Sequence, residues 1–336
     1  MTARSKHAWR LAGLAAGCAA LLLAMAASIL LGVESYRPSI GWAAAFHYDE
    51  TVMEQMIIRT TRMPRAFLAA AVGAGLAVAG ALMQALTRNP LASPGTLGVN
   101  AGASFVVVLA SVVFSVTSMQ ALMWLSFCGA ALGAIAVYLL GSLGRGGLSP
   151  MKLVLAGAAL TALFSSFTQG ILALDKQGLG SVLFWLTGTI AGREPDMLIV
   201  AGPYMALGGA AAWLLSRQLD VLAMGEETAR GLGQRTAWLK AGIGLIVLAL
   251  AGGAVSIAGP IGFIGVVVPH MARFLAGLEH RWVLPYCAVL GAVLLVAADL
   301  AARFLMMPEE VPVGVMTALI GVPFFIYIAR RGTVRS

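Results

Sequence analysis

The chain has 336 residues, 60% hydrophobic and 11% charged, with a mean hydropathy of +0.91 and a formal net charge of +8. A soluble domain carries about 25% charged residues, so these charges cannot cover a water-soluble globule, and an integral membrane protein is expected. The cysteines (Cys18, Cys128, Cys287) lie in apolar runs, the histidines form no metal-ligand spacing, and neither a GxSxG elbow nor a GxxxxGK[ST] phosphate loop occurs, so no disulfide framework, metal centre or ATP site is indicated on this chain.

A helical span takes roughly 20 apolar residues. Charge-free stretches cover 11–33, 66–87, 153–174, 197–216, 282–298 and 311–329, each one helix by length. The stretch 89–144 is too long for one span. It opens with Asn89-Pro90 and Ser93-Pro94 and has a polar break at 115–120, so it divides into helices at about 96–114 and 119–141. The stretch 241–272 is interrupted by Gly259-Pro260-Ile261-Gly262 and reads as one full helix and one shorter or broken one. The expectation is an all-α, polytopic membrane domain over residues 1–336 with ten spans. The first apolar core exceeds the 7–15 residues of a signal peptide, and an uncleaved first helix is expected.

Ten spans put both termini on one side. If that side is the cytoplasm, the outer segments keep only Arg37, Arg59, Arg62, Arg65, Lys176, Arg193 and Arg303 of the 22 basic residues. The basic excess therefore reads as membrane orientation and not as a nucleic-acid surface.

The largest inner loop, 217–240, contains GEETARGLG at 225–233. Glu226 and Glu227 suit a first helical turn, Arg230 a last turn, and Gly231 and Gly233 a stop, so a short surface helix is expected. It is either a connector or a docking element for a soluble partner. The loop RNPLASPGTLG at 88–98 cannot be continuously helical; it is a tight turn or a constriction in a path. Gly98–Gly102 and Gly129–Gly133 have the spacing of close helix packing. Asp299 is the one carboxylate close to being intramembrane, with Arg303 four residues on, so a local ion pair is expected over a proton site. Arg59, Arg62 and Arg65 form one basic face only if their helix begins before the membrane, and residues 180–190 suit an outer interfacial helix. His270 is expected to be a satisfied interfacial histidine.

Four segments in order, RMPRAFLAAAVGAGLAVAGALMQALTRNPLASPGTLGVNAGA (62–103), VLAMGEETARGLG (221–233), GPIGFIGVVVPHMAR (259–273) and AADLAARF followed by PEEVPVGVMTALIGVPFF, resemble the FecCD family of membrane permeases. That resemblance implies the spanning subunit of an ATP-binding-cassette (ABC) importer in the cell membrane. Its cargo would be a metal chelate: ferric siderophore first, then haem, then cobalamin. It implies a second copy of the chain, two cytoplasmic ATPase subunits that carry the ATP and Mg, and one external binding protein. It implies no cofactor and no catalytic residue on this chain. By the same resemblance Gly225, Glu226, Glu227, Ala229, Arg230 and Gly231 dock the ATPase, while Arg62, Arg65 and Arg303 face the binding protein. Ser165 and Ser166 line the path, with Asn89, Pro90 and Leu91 near its cytoplasmic end. The rival reading is an ion-coupled secondary transporter working through Asp299, which needs a titratable group near the midplane.

Overall fold

A computed structural model describes residues 3–143, 149–174, 179–307 and 309–332. Among them the chain is helical throughout: α1 (Ala3–Leu30), α2 (Pro38–Phe46), α3 (Met53–Thr87), α4 (Val99–Val113), α5 (Met119–Ser142), α6 (Pro150–Leu174), α7 (Leu179–Leu186), α8 (Asp196–Leu214), α9 (Ser216–Met224), α10 (Glu226–Gly231), α11 (Thr236–Ala258), α12 (Ile264–Ala276), α13 (His280–Leu305) and α14 (Val313–Gly332). Seven helices are long and apolar enough to cross a bilayer, and α4, α12 and the apolar part of α14 are shorter. These occupy the positions that the charge-free stretches predict. Of the basic residues counted for orientation, Arg145, Lys176 and Arg335 lie outside the described residues.

The departures have physical causes. The predicted stretch 282–298 stops at Asp299, yet α13 continues to Leu305, because Asp299 and Arg303 neutralise one another along the helix. The stretch 66–87 is extended back to Met53, since Arg62 and Arg65 turn inward to partners in the chain. Helices α2 and α9 were not expected. Helix α9 follows α8 after one residue and buries Ser216, Leu219 and Leu222 on one face, an amphipathic pattern invisible to a search for long apolar runs.

Helix α3 is the central post: 78% of its most apolar stretch is buried, against 6% for α1. It packs along α13 and also meets α11, α12 and α8, while α4 pairs with α5, and α6 lies across both. Small residues make these approaches possible. A methyl group at Gly73 would fall inside contact distance of the Gly291 carbonyl, and one at Gly102 inside that of Gly129. The GxxxG pairs of α4 and α5 therefore face each other, Gly102 on Gly129 and Gly133 on Gly98, as their spacing predicts. With lipid tails as apolar as leucine, such backbone contact supplies the packing that water expulsion provides in soluble proteins.

Replacing Gly102 by Leu is expected to lower the thermal unfolding midpoint of the detergent-purified protein, through an overpacking cost of about 1–3 kcal/mol. Gly170, which has open space around it, should tolerate Ala with no loss in the same measurement.

Candidate functional site

Two polar clusters sit at opposite ends of the α3–α13 pair. At one end the Asp299 carboxylate, 1% exposed, receives the Arg65 guanidinium through Nε at 3.0 Å and Nη2 at 2.8 Å, and Arg303 Nη2 at 2.6 Å. Arg65 Nη1 also pairs with Glu310 at 2.8 Å. The expected pair of Asp299 with Arg303 is present, and Arg65 is its third member. The forked Arg65 guanidinium and one N–H of Arg303 occupy both oxygens of this buried carboxylate, so Asp299 serves as a structural ion-pair partner.

Arg303, together with Arg62, also closes the end of α1. The last carbonyls of a helix have no partner within it. Here Arg303 Nη1 donates to the Ser28 carbonyl at 2.7 Å and Arg303 Nη2 to Ser28 Oγ at 2.9 Å, while Arg62 donates to the carbonyls of Ile29, Leu30 and Glu34, the last at 2.6 Å. Arg62 also lies over the Tyr36 ring, 4.3 Å from its centroid. Arg59, Arg62 and Arg65 therefore do not share one outward face. A π-helical turn at Ile58–Arg62 rotates them apart: Arg59 goes to the Tyr48 ring, Arg62 to α1 and Arg65 to α13. Arg303, with 4% of its side chain exposed, presents no surface to a second protein in this conformation. No spacing rule predicts the role in closing α1, because both partners are backbone atoms far away in sequence.

At the other end α10 is a rigid bracket. Gly225 precedes it at φ 138°, a conformation that favours glycine. Glu226 accepts from Arg230 Nη2 at 2.8 Å, Lys240 Nζ at 2.6 Å and Thr236 Oγ1 at 3.4 Å, and Arg230 Nε reaches the same Thr236 hydroxyl at 3.2 Å. Ala229 is fully buried beneath it, while Glu227 and Gly231 face outward. Glu226 and Arg230 thus fasten α10 to the start of α11, while 67% of the Arg230 side chain stays exposed. The outward surface beside them carries Met224, Leu232 and Trp238. Asp220 of α9 completes this end, taking the His280 backbone N–H at 2.9 Å with the His280 Nδ1 at 2.7 Å, which ties α9 to the first turn of α13.

The turn after α3 is built by local bonding. Arg88 takes a left-handed conformation, Asn89 Oδ1 accepts the Leu91 N–H at 2.9 Å, and Pro90 is exposed. A short 3-10 turn at Pro94–Leu97 follows, and Gly157 of α6 lies directly against its Thr96 carbonyl. Ser165 and Ser166 sit on the same α6, about 12 Å further along at the helical rise. Ser165 is half-buried, and Ser166 is exposed and donates to the Ala162 carbonyl at 2.8 Å. One helix therefore connects the turn to the serines without bringing them together. His270 is exposed and meets the Phe324 ring edge-on, 6.0 Å between centroids.

Further polar residues were not singled out by sequence. Gln84 of α3 donates to the Gly265 carbonyl at 3.2 Å and accepts from Arg273, tying α3 to α12. Arg193, in the loop before α8, donates to the Thr189 carbonyl at 3.2 Å; burial pushes its pKa down to about 10. A glutamine inside an apolar run was the available signal for the first.

A family model described as the FecCD transport family matches residues 20–331. A Bacillus subtilis (strain 168) protein named as a probable siderophore transport system permease is 54% identical over 312 residues, covering 93% of each chain. An iron(3+)-hydroxamate import permease of the same organism is 46% identical, covering 95% of this chain and 83% of its own. The ferric enterobactin permease of Escherichia coli (strain K12) is 42% identical over 93% of both. A solved structure described as an inward-facing conformation of a metal-chelate type ABC transporter superimposes with a TM-score of 0.84 at 28% identity, covering 95% of this chain and 98% of that one.

Replacing Asp299 by Asn leaves the buried Arg303 guanidinium without a counter-ion and Arg65 with Glu310 alone. We expect a loss of about 3–5 kcal/mol, read as a fall in unfolding midpoint, with Arg65→Lys intermediate because it keeps charge but loses the fork. Glu226 is held below the ordinary carboxylate range, first by its hydrogen bond from Lys240. A carboxylate with a depressed folded pKa contributes its full stabilisation above its unfolded pKa of about 4.3 and loses it as pH falls through the folded value. Protection factors for hydrogen exchange across α10, taken relative to the intrinsic rate at each pH, should therefore fall as pH drops through that window, and Glu226→Gln should show low protection throughout, with no pH step.

Proposed function

Because the chain belongs to the FecCD transport family, we propose that it is the permease subunit of an ABC importer that carries a ferric siderophore into the cytoplasm. It is a multi-pass protein of the cell membrane and is not itself an enzyme; ATP and Mg belong to separate ATPase subunits. The relatives named above carry a siderophore, a ferric hydroxamate and ferric enterobactin, and these support an iron chelate ahead of haem or cobalamin.

The observation that carries the coupling role is α10. An importer driven from outside the membrane needs a surface that moves as a solid body with the spans. Glu226, bonded at once to Arg230, Thr236 and Lys240, provides that stiffness, and Met224, Leu232 and Trp238 provide exposed apolar contact. In this reading the α10 end faces the cytoplasm, and each of two copies of the chain meets one ATPase through Gly225–Gly231 and its apolar flanks. The Asp299 end faces the binding protein through the accessible edge of Arg62 and the 13% of the Arg65 side chain that reaches the surface, with Arg303 bracing from inside. The chelate passes between the two copies along the exposed face of α6, past Ser165 and Ser166 toward the turn at Asn89, Pro90 and Leu91. The ion-coupled alternative loses its candidate, because both oxygens of Asp299 are occupied by two arginines.

The test is uptake of radiolabelled ferric hydroxamate siderophore by sealed right-side-out vesicles with the ATPase, the binding protein, internal ATP and a protonophore. Uptake that requires ATP and survives the protonophore is expected. Uptake that the protonophore abolishes would overturn ABC coupling. In the same vesicles Leu232→Glu or Trp238→Glu is expected to strip the ATPase from the membrane and stop transport; retained ATPase would remove α10 from the docking surface.

A further inference from the structure

A proline inside a helix removes the N–H that would bond the carbonyl four residues earlier. In α12 the proline is Pro269 and the orphaned carbonyl belongs to Gly265; both residues are buried. Where lipid surrounds a bundle, such an oxygen has to find its donor on a neighbouring helix. It finds the Gln84 side-chain amide of α3, whose Nε2 donates to it at 3.2 Å and to the Val266 carbonyl at 3.4 Å. Gly80 makes the reach possible. A methyl group there would fall inside contact distance of the Gly265 carbonyl, so the two backbones cross one helical turn before Gln84. The amide can face only one way. Arg273, one turn beyond Pro269, donates to Gln84 Oε1, and a flipped amide would set oxygen against carbonyl and N–H against guanidinium.

The same replacement recurs at the start of α13. Pro285 orphans the Arg281 carbonyl, and the Trp213 indole of α8 donates to it at 3.3 Å. Two successive helices thus carry a proline whose missing donor comes from another helix. The joint at α12 differs in kind from the Asp299 cluster. Among the described residues no carboxylate takes part in it, so parting Gln84 from the Gly265 carbonyl separates no buried ion pair. Helix α12 is entered through left-handed backbone at Gly259 and Phe263 and left through it at Gly277, with φ of 72°, 67° and 86°. This helix of 13 residues is therefore set off from its neighbours at both ends.

Resting on the permease reading above, we propose that Gln84 is a positioning residue for transport: its amide stands in for the N–H that Pro269 lacks, Arg273 aims it, and the bond breaks and re-forms as α12 moves against α3. An intrahelical bond would tie the two halves of α12 to each other. The interhelical one ties α12 to the central post and can be exchanged for water when the inner side opens.

The experiment is a double-mutant cycle on the full chain. Gln84→Met keeps the shape of the side chain but donates nothing, and Pro269→Ala restores the N–H. In the detergent-purified protein Gln84→Met should lower the unfolding midpoint by about 3 °C and speed hydrogen exchange over residues 266–276 at fixed pH. Arg273→Leu should give part of that loss. In the Pro269→Ala background both losses should vanish, because the carbonyl then has a donor of its own. Should Gln84→Met alone fail to fold, recovery of a folded double variant reads the same rescue. An equal fall in midpoint with and without Pro269→Ala would overturn the replacement of the missing N–H. Transport is read in vesicles holding the ATPase, the binding protein and ferric hydroxamate. Pro269→Ala should keep the midpoint yet lower the maximal uptake rate about tenfold, the factor that one net hydrogen bond added to the barrier supplies, with half-saturation unchanged. Full uptake by Pro269→Ala would overturn the moving joint. Absence of uptake by the unaltered protein would instead refute the permease reading and the transport role with it, while the midpoints and exchange still decide what Gln84 does at Pro269.

Discussion

One buried carboxylate organises this bundle. Asp299 sits on α13, takes Arg65 from α3 and Arg303 from its own helix, and through Arg303 reaches the end of α1. In water such a group would be indifferent to any one partner. In a bundle surrounded by lipid it can stay charged only if guanidiniums are delivered to it, so three helices must meet at one depth and in one rotation. The glycine contacts between α3 and α13 belong to the same constraint. Only backbones that approach this closely bring an arginine of one helix onto the carboxylate of the other.

The opposite end of the same helix pair is organised by a second carboxylate in a wetter setting. Glu226 gathers Arg230, Thr236 and Lys240, and Asp220 clasps the start of α13. The long post of α3 and α13 thus has a charged fixture at each end and little to flex in between. Transport by alternating access asks for such a body, because a displacement at one face must not be absorbed before it reaches the other.

Counting charge-free stretches located the spans because lipid tolerates few unpaired charges, and for α5 and α6 the predicted starts and ends fall within a few residues of the observed ones. The method erred where charges are paired inside the protein. Helix α13 runs on past Asp299 and Arg303, and α3 starts well before Arg65, because an ion pair counts as nearly neutral to the fold but as two interruptions to the eye. Spacing also revealed the partner of Asp299 four residues away, yet not Arg65, 234 positions distant. For Glu226 and Arg230 the short helix was legible and the bonding was not. Helix-end electrostatics explained their placement, but the decisive contact, Lys240, lies beyond any local rule. The rotation of Arg59, Arg62 and Arg65 onto different neighbours depends on one π turn that composition does not signal.

The tether of α1 is made almost wholly to main-chain oxygen. Arg62 and Arg303 grip the carbonyls of Ser28, Ile29, Leu30 and Glu34, atoms that every residue type provides. Selection on this helix therefore acts on its length and phase more than on its spelling. Its side chains can drift among apolar alternatives as the membrane around them changes, while the insertion or loss of a single residue would carry the carbonyl crown away from both arginines.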